Sequence, residues 1–231
     1  MTVNLSHFFP SMLPSLASLL VSASLIILIT RFAEGKKEFR LLAACCMVSL
    51  FWNLARLVLS LFSGSWTAAL LVEITRPLPV VVIPLVLHLV HRYLGVRGNT
   101  IALWIAYILS FLMIGVFWID GNEEIRMAPF FIASSAAGSA YVYLRLFSIP
   151  DHAAGRERTL NRGLMAAGSV LFMALPGLDA LSGGSWGFFG FAFVPLVLIS
   201  SAMTARPGDD LKNTPTRENL LHTFIISFVL F

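Results

Sequence analysis

Residues 41–90 read LLAACCMVSLFWNLARLVLSLFSGSWTAALLVEITRPLPVVVIPLVLHLV. Two long apolar runs lie on either side of the short break Ser63-Gly64-Ser65, whose composition is typical of a turn. An apolar helix of about 20 residues crosses the hydrocarbon core of a bilayer, which is roughly 30 Å thick. Each run reaches this length, so the stretch predicts a hairpin of two transmembrane helices.

The rest of the chain repeats this pattern of long apolar runs and short breaks. Only 12% of the 231 residues are charged and 58% are hydrophobic, whereas a soluble domain carries roughly 25% charged residues. So few charges do not cover the outside of a water-soluble globule. We therefore predict an all-α fold, a polytopic transmembrane helical bundle in the lipid bilayer. Its seven spans are expected near residues 11–30, 41–62, 67–90, 101–119, 127–148, 163–181 and 186–204.

An eighth apolar run, residues 219–231, follows a polar stretch at residues 205–218. This run is too short to cross a bilayer unaided, because a span needs about 20 residues. We expect either an interfacial helix or the beginning of a span in a longer protein, and the apolar last residues favour the second alternative. The predicted organisation is a seven-helix domain (1–204), a cytoplasmic polar linker (205–218) and the partial eighth segment (219–231).

The positions of the basic residues predict the orientation of the bundle. Cytoplasmic loops of membrane proteins carry an excess of Lys and Arg. Of the 16 such residues, 13 lie in four alternate segments, namely 31–40, 91–100, 145–162 and 205–218. The opposite side has Arg126 alone, beside the acidic residues Asp120, Glu123, Glu124 and Asp179. We therefore expect the amino terminus outside and these segments in the cytoplasm. Because the basic residues recur along the chain rather than forming one patch, no nucleic-acid partner is predicted.

Polar and charged residues inside the second and third predicted spans form what we call the predicted hairpin cluster: Asn53, Arg56, Glu73 and Arg76. Intramembrane charges are costly and normally face the bundle interior. Counted from the turn, Arg56 and Glu73 are expected at equal depth, about 9 Å below the outer ends, and Asn53 and Arg76 about 14 Å below them. One interpretation is a structural ion pair. The other is a site with a local charge of about +1 that binds a small anionic ligand or couples it to helix movement.

His88 and His91 lie three residues apart on the third predicted span and therefore share a helix face. Two histidines are weak candidates for a metal site, because zinc needs three or four ligands. We interpret them as interfacial polar anchors, and Cys45 and Cys46 as small packing residues. Neither a metal nor a cofactor is predicted.

The sequence contains no HExxH helix, GxSxG elbow, Walker loop or glycine-rich dinucleotide fingerprint. These motifs place the nucleophiles, metal ligands and phosphate-binding amides of common enzyme classes. We therefore assign no catalytic residue.

Two local patterns carry a resemblance to a known family. Residues 49–56 read SLFWNLAR, and residues 84–95 form a proline-begun helix end, PLVLHLVHRYLG. Together with the basic loop after the first span, they are similar to the amino-terminal seven-helix region of bacterial sensor histidine kinases, over residues 11–204. The resemblance implies a module in the bacterial inner membrane that passes a signal to an attached cytoplasmic kinase, cyclase or phosphatase domain.

Our leading hypothesis is a non-catalytic membrane sensory or regulatory module, in which a ligand or a bilayer change shifts helix packing. One alternative is a small-molecule transporter subunit in which Arg56, Glu73 and Arg76 line a path. Another is a membrane-embedded enzyme that acts on lipid. The expected partners are the lipid bilayer, a small anionic ligand, and a cytoplasmic signalling domain or a second copy of the chain.

Overall fold

A computed structural model of the chain describes residues 5–32, 37–62, 65–75, 77–95, 101–119, 124–147, 156–181 and 188–204. Within these ranges the regular structure is helical and contains no strand. The α-helices are α1 (Leu5–Phe32), α2 (Lys37–Leu61), α3 (Trp66–Thr75), α4 (Leu78–Tyr93), α5 (Ile101–Ile119), α6 (Glu124–Phe147), α7 (Arg156–Leu181) and α8 (Phe193–Thr204). A short 3₁₀ helix, Phe188–Ala192, leads into α8, and we call it the 3₁₀ segment.

The all-α prediction is confirmed for the described residues. Four stretches are long and apolar enough to cross a membrane: Met12–Arg31, Lys37–Leu61, Trp66–Tyr93 (α3 with α4) and Pro129–Phe147. Ile101–Gly115 and Phe188–Thr204 are shorter apolar helical stretches. These lengths and compositions are those of a helical membrane protein. The linker at 205–218 and the segment at 219–231 lie outside the described residues.

The third predicted span differs from the structure because it consists of two helices. α3 ends at Thr75, and α4 begins at Leu78 with Pro77 as its N-cap. Proline has no amide hydrogen to donate, and both Pro77 and Pro79 fall at this point. The amide of Val80 donates to the Pro77 carbonyl over 3.1 Å, in the tighter pattern of a helix start.

Two further boundaries differ from the predictions. α7 begins at Arg156, so part of the basic segment predicted as a loop is helical; its residues RERTLNR contain neither glycine nor proline to stop a helix. The last predicted span is not a single α-helix, because the 3₁₀ segment precedes α8. The entry to this last span is therefore irregular.

The helices pack around α4 and α7. α4 contacts α2, α5, α6 and α7, and α7 also contacts α8 and the 3₁₀ segment. Fully buried side chains such as Val86, Phe172 and Leu196 form one continuous apolar core. In contrast, α5 turns Trp104 and Phe111 outward, 65% and 76% exposed. Such apolar exposure fits lipid as the surrounding solvent.

Helices α7 and α8 lie close together at Gly168. A Cβ atom placed on Gly168 would lie 2.8 Å from Ile199 Cγ1 and 2.9 Å from the Pro195 carbonyl oxygen. Because the Pro195 oxygen belongs to the backbone, it cannot rotate away from an added Cβ atom. Small residues commonly permit such contacts where lipid gives no hydrophobic drive for helix association.

We expect Gly168→Ala to destabilise the protein by about 1–3 kcal/mol, because the added methyl group overpacks the contact between α7 and α8. Gly163→Ala is the matched control on the same helix, since no atom lies within 4 Å of a Cβ there. The control should be neutral or stabilising by up to about 1 kcal/mol, given the poor helix propensity of glycine. Unfolding in detergent, followed by circular dichroism, measures both. Equal midpoints would contradict the close approach.

Candidate functional site at the entry to the last span

The amino-terminal end of the 3₁₀ segment is held by a carboxylate from α7. Asp179 is 6% exposed. Its Oδ1 accepts a hydrogen bond from the Phe188 amide at 2.6 Å, and its Oδ2 accepts one from the Phe189 amide at 3.0 Å. The first amides of a helix have no partner within it, and a negative charge there is favourable. Asp179 therefore supplies hydrogen-bond acceptors for the first two amides of the 3₁₀ segment.

A serine from α1 holds the other end of the same segment. The buried hydroxyl of Ser18 donates to the Gly190 carbonyl at 2.5 Å and accepts from the Phe193 amide at 3.0 Å. One side chain thus joins the 3₁₀ segment to the first residue of α8. Gly190 permits this proximity, because a Cβ there would lie 3.1 Å from Pro14 Cβ.

A third contact comes from α2. Asn53 is completely buried, and its Nδ2 donates to the Ser49 carbonyl at 2.9 Å and to the Phe189 carbonyl at 3.3 Å. Ser49 in turn accepts a hydrogen bond from the Ser22 hydroxyl of α1 at 3.2 Å. We call the five side chains around the 3₁₀ segment the entry cluster: Ser18, Ser22, Ser49, Asn53 and Asp179.

Aromatic rings enclose the centre of the 3₁₀ segment. The buried ring of Phe189 lies edge-on to Trp52 of α2, with 6.0 Å between ring centroids. The ring of Phe172 from α7 also contacts Phe189, with 5.7 Å between the ring centroids. Phe189 therefore fills the space between α2 and α7 while its backbone binds the entry cluster. Side-chain packing and backbone hydrogen bonding fix the same residue.

Three buried polar atoms in the described part of the chain have no hydrogen-bond partner: Trp52 Nε1, Asn53 Oδ1 and Ser169 Oγ. Two of them belong to the neighbouring residues that contact Phe189. Buried polar groups in folded proteins are nearly always paired, so each exception calls for an explanation. These atoms give the entry cluster unused hydrogen-bonding capacity.

The predicted hairpin cluster is only partly brought to this site. Asn53 joins the entry cluster, and Arg56 is half-buried one helical turn further along α2. Glu73 is exposed on α3, and Arg76 lies outside the described residues. The pairing of Arg56 with Glu73, and that of Asn53 with Arg76, stay predictions.

Sequence reasoning missed four members of the entry cluster: Ser18, Ser22, Ser49 and Asp179. It grouped Asp179 with the outer loops, whereas the structure buries it at the end of α7. It gave no role to Ser18, whose partner Gly190 is 172 residues away along the chain. The sequence offers one signal for Asp179, which is an acidic residue at the end of an apolar helix. This signal does not identify the backbone amides that the carboxylate binds.

A second polar arrangement connects α4 with α6. The Nδ1 of His91 lies 2.9 Å from the Leu87 carbonyl, which can only accept, so Nδ1 carries the proton. In neutral His91, Nε2 then accepts from the Tyr141 hydroxyl at 2.8 Å. The Nε of Arg145 donates to that hydroxyl oxygen at 3.1 Å, and its guanidinium lies over the Tyr141 ring at 5.3 Å.

The two predicted histidine anchors face different neighbours. His91 is buried against Tyr141 of α6, whereas the Nδ1 of half-buried His88 is 3.1 Å from the Tyr107 hydroxyl of α5. They therefore do not converge on one point. Across the described ranges, no three His, Cys, Asp or Glu side chains are grouped so as to hold a metal ion. Cys45 and Cys46 are free thiols, both fully buried.

The four long apolar helical stretches indicate a helical membrane protein, and its polar site surrounds the 3₁₀ segment. Comparison with known proteins adds no relative, since no family model, no curated protein and no solved structure matches the chain.

We expect Ser18→Ala to lower the free energy of unfolding by about 1–3 kcal/mol, because it leaves two buried backbone groups without their partner. Ser60→Ala is the matched control, since the Ser60 hydroxyl bonds only the Leu57 carbonyl of its own helix among the hydrogen bonds described. Its effect should stay within about 0.5 kcal/mol. Detergent unfolding of both variants tests the contact. If Ser18→Ala matches the control, α1 does not hold the 3₁₀ segment.

Tyr141→Phe should destabilise the protein by about 1–3 kcal/mol, because it removes the hydroxyl that the buried His91 Nε2 needs as a donor. Tyr143→Phe on the same helix is the control, as this ring is 59% exposed. Thermal unfolding in the same detergent compares the two. A loss of similar size in both variants would show that the hydroxyl bridge between α4 and α6 contributes nothing specific.

Proposed function

We propose that this chain is a multi-pass membrane sensory or regulatory module of a bacterial inner membrane, which transmits a ligand or membrane signal through its last span. One observation carries the proposal. The entry to that span, the 3₁₀ segment, is held by side chains from three other helices: Ser18 of α1, Asn53 of α2 and Asp179 of α7. A change in any of these helices therefore acts directly on α8.

The energetics suit a switch. A buried neutral hydrogen bond contributes roughly 0.5–1.5 kcal/mol, and bonds to charged groups about 1.5–3 kcal/mol. The few bonds of the entry cluster therefore correspond to the free-energy gap of a few kcal/mol that separates interconverting states of a protein. A ligand that binds one arrangement better shifts the population towards it. Since residues 205–218 directly follow α8 in the sequence, the shift would reach the predicted cytoplasmic linker.

We further propose seven spans with the amino terminus outside. Every predicted span overlaps a described helix or helix pair. The excess of Lys and Arg in alternate connections supports this orientation. In this arrangement the carboxyl-terminal end of α8 lies on the cytoplasmic side, as a signal-transmitting element requires.

A transporter subunit is the second candidate, favoured by the interrupted spans. α3 and α4 are separated at Pro77, and α8 is preceded by the 3₁₀ segment. Discontinuous helices line the substrate sites of many transporters. Substrate-dependent flux in proteoliposomes that contain this chain alone would establish transport and displace the sensory proposal.

The sensory proposal predicts that weakening the entry cluster moves the opposite end of α8. Spin labels on Arg92→Cys at the end of α4 and Ser201→Cys near the end of α8 use two exposed positions, while Cys45 and Cys46 are buried. In lipid nanodiscs, Asp179→Asn should shift or broaden the distance distribution between the labels by about 1–2 Å, the scale of allosteric helix shifts. Double electron–electron resonance measures it.

Ser18→Ala should act in the same direction as Asp179→Asn, because it releases the other end of the 3₁₀ segment. The doubly labelled Ser60→Ala protein is the control and should keep the parent distribution. If both entry-cluster variants remain folded and leave the distance between the labels unchanged, the segment does not transmit movement to α8. The sensory proposal would then lose the observation that carries it.

A further inference from the structure

Arg145, near the end of α6, is held in place by the Tyr141 side chain one turn earlier. Its Nε donates to the Tyr141 hydroxyl oxygen at 3.1 Å, and its guanidinium lies over the Tyr141 ring, 5.3 Å from the centroid. Tyr141 is itself fixed by His91 of α4, through the 2.8 Å hydrogen bond and a stacked ring with 5.4 Å between centroids. The guanidinium is therefore oriented through Nε, while its two NH₂ groups carry four further donors in the same plane.

The positive charge of Arg145 has no counter-charge within the described part of the chain. There Arg145 contacts Tyr141 through these two interactions, and no carboxylate pairs with it. The residue is half-buried at the end of an apolar helix. A charge in such surroundings is favoured by an acceptor of opposite charge. The NH₂ groups of an arginine bind the oxygens of a carboxylate or phosphate in pairs, so the free side of this guanidinium fits an oxyanion.

Arg162 of α7 lies at the same height of the bundle as Arg145. The two helices pack antiparallel, and the Ser135 hydroxyl of α6 donates to the Met173 carbonyl of α7 at 2.6 Å. From this contact Arg145 is ten residues further along α6 and Arg162 eleven residues back along α7, which is about 15 and 17 Å in the same direction. Eleven residues make about three helical turns, so Arg162 lies on the face of α7 that contacts α6.

Arg92 of α4 is the third arginine at this end of the bundle. It is exposed and directly follows His91, whose imidazole bonds Tyr141. Helices α4, α6 and α7 contact one another, so three packed helices each carry one arginine at this end. We call these residues the arginine group: Arg92, Arg145 and Arg162. Like charges repel, and an anion bound among them offsets that repulsion.

Large side chains next to Arg145 face outward from the bundle. Leu144 is 63% exposed, Tyr143 is 59% exposed, and the ring of exposed Phe147 lies 4.8 Å from that of Tyr143 between centroids. Lipid chains are the surroundings of such side chains in a helical membrane protein. An oriented cation at the end of a span, beside an outward apolar surface, matches a lipid headgroup with its acyl chains alongside α6.

We propose that Arg145 binds the phosphate of an anionic phospholipid, with Arg92 and Arg162 adding positive charge around it and Leu144 and Phe147 contacting its acyl chains. Basic sites between transmembrane helices bind anionic headgroups in this way. A zwitterionic lipid fits less well, because its ammonium group adds a positive charge beside the arginine group. The site goes beyond the proposed function, since lipid binding requires no movement of α8.

Native mass spectrometry of the intact chain, released from detergent after titration with lipid, measures the affinity for the first bound lipid. We expect phosphatidylglycerol, which is anionic, to bind about tenfold more tightly than phosphatidylcholine, which is zwitterionic. Arg145→Gln should lower the affinity for phosphatidylglycerol about tenfold, the effect of losing a charge-assisted hydrogen bond, and leave that for phosphatidylcholine unchanged.

Arg31→Gln is the matched control, because it removes the same charge from an exposed position at the end of α1. Its affinity for phosphatidylglycerol should stay within about twofold of the parent, since a lone surface charge contributes little. Arg145→Lys keeps the charge but not the planar group that bonds Tyr141 and phosphate together, so its affinity should lie between those of the parent and Arg145→Gln. Equal losses in Arg31→Gln and Arg145→Gln would show attraction to net charge alone and overturn the proposal.

Inorganic phosphate distinguishes a lipid headgroup from a free anion. It should not displace phosphatidylglycerol at equal concentration, because it lacks the acyl chains that contact α6. Displacement at equal concentration would assign the site to a free anion and overturn the lipid proposal. If Arg145→Gln does not fold, the two lipids on the parent chain and on Arg145→Lys decide the question. Equal affinities for both lipids on the parent chain would then refute the site.

Discussion

In an apolar surrounding, every backbone N–H and C=O group needs a hydrogen-bond partner. This requirement governs the structure. Within a continuous helix the chain meets that need by itself, and in hydrocarbon no water substitutes for it. At the 3₁₀ segment the helix is irregular, and amides and carbonyls of Phe188, Phe189, Gly190 and Phe193 take partners from elsewhere. Asp179, Ser18 and Asn53 meet at this point for that reason. The irregular entry thus explains why polar side chains are buried in an otherwise apolar core.

Helix positions were largely predictable from the sequence, because hydrophobic length is a local property. The run predicted at 101–119 has the bounds of α5, and the prediction at 163–181 has the correct end. Two errors share a local cause that the pattern of apolarity does not register: Pro77 and Pro79 start a new helix within an apolar run, and Phe188–Ala192 is apolar without being α-helical. Apolarity predicts that a segment is in the membrane and does not predict its backbone conformation.

The site was much less predictable, because its contacts join distant residues. Asn53 stood out as an amide inside a predicted span, and the structure buries it against Phe189. Asp179 and Ser18 did not stand out, because serine is common in membrane helices and Asp179 lies near a predicted helix end. Their importance depends on the backbone groups of the 3₁₀ segment, and no spacing rule relates residues on α1 and α7 to that segment. Equal depth in a hairpin was the only long-range geometry available from sequence, and it concerns α2 and α3 alone.

The two buried polar arrangements of the bundle differ in how completely their polar atoms are paired. From Arg145 Nε through Tyr141 and His91 to the Leu87 carbonyl, each donor along the path meets an acceptor, so an unbroken series of hydrogen bonds connects α4 with α6. A complete network fixes one arrangement, because any change leaves a buried group unpaired. Beside the 3₁₀ segment, in contrast, Trp52 and Asn53 each keep one unpaired atom while Asn53 also binds the Phe189 carbonyl of that segment. The signalling that we propose depends on this difference, because atoms without a partner at an irregular backbone change their hydrogen bonds at a smaller cost than the members of a complete network.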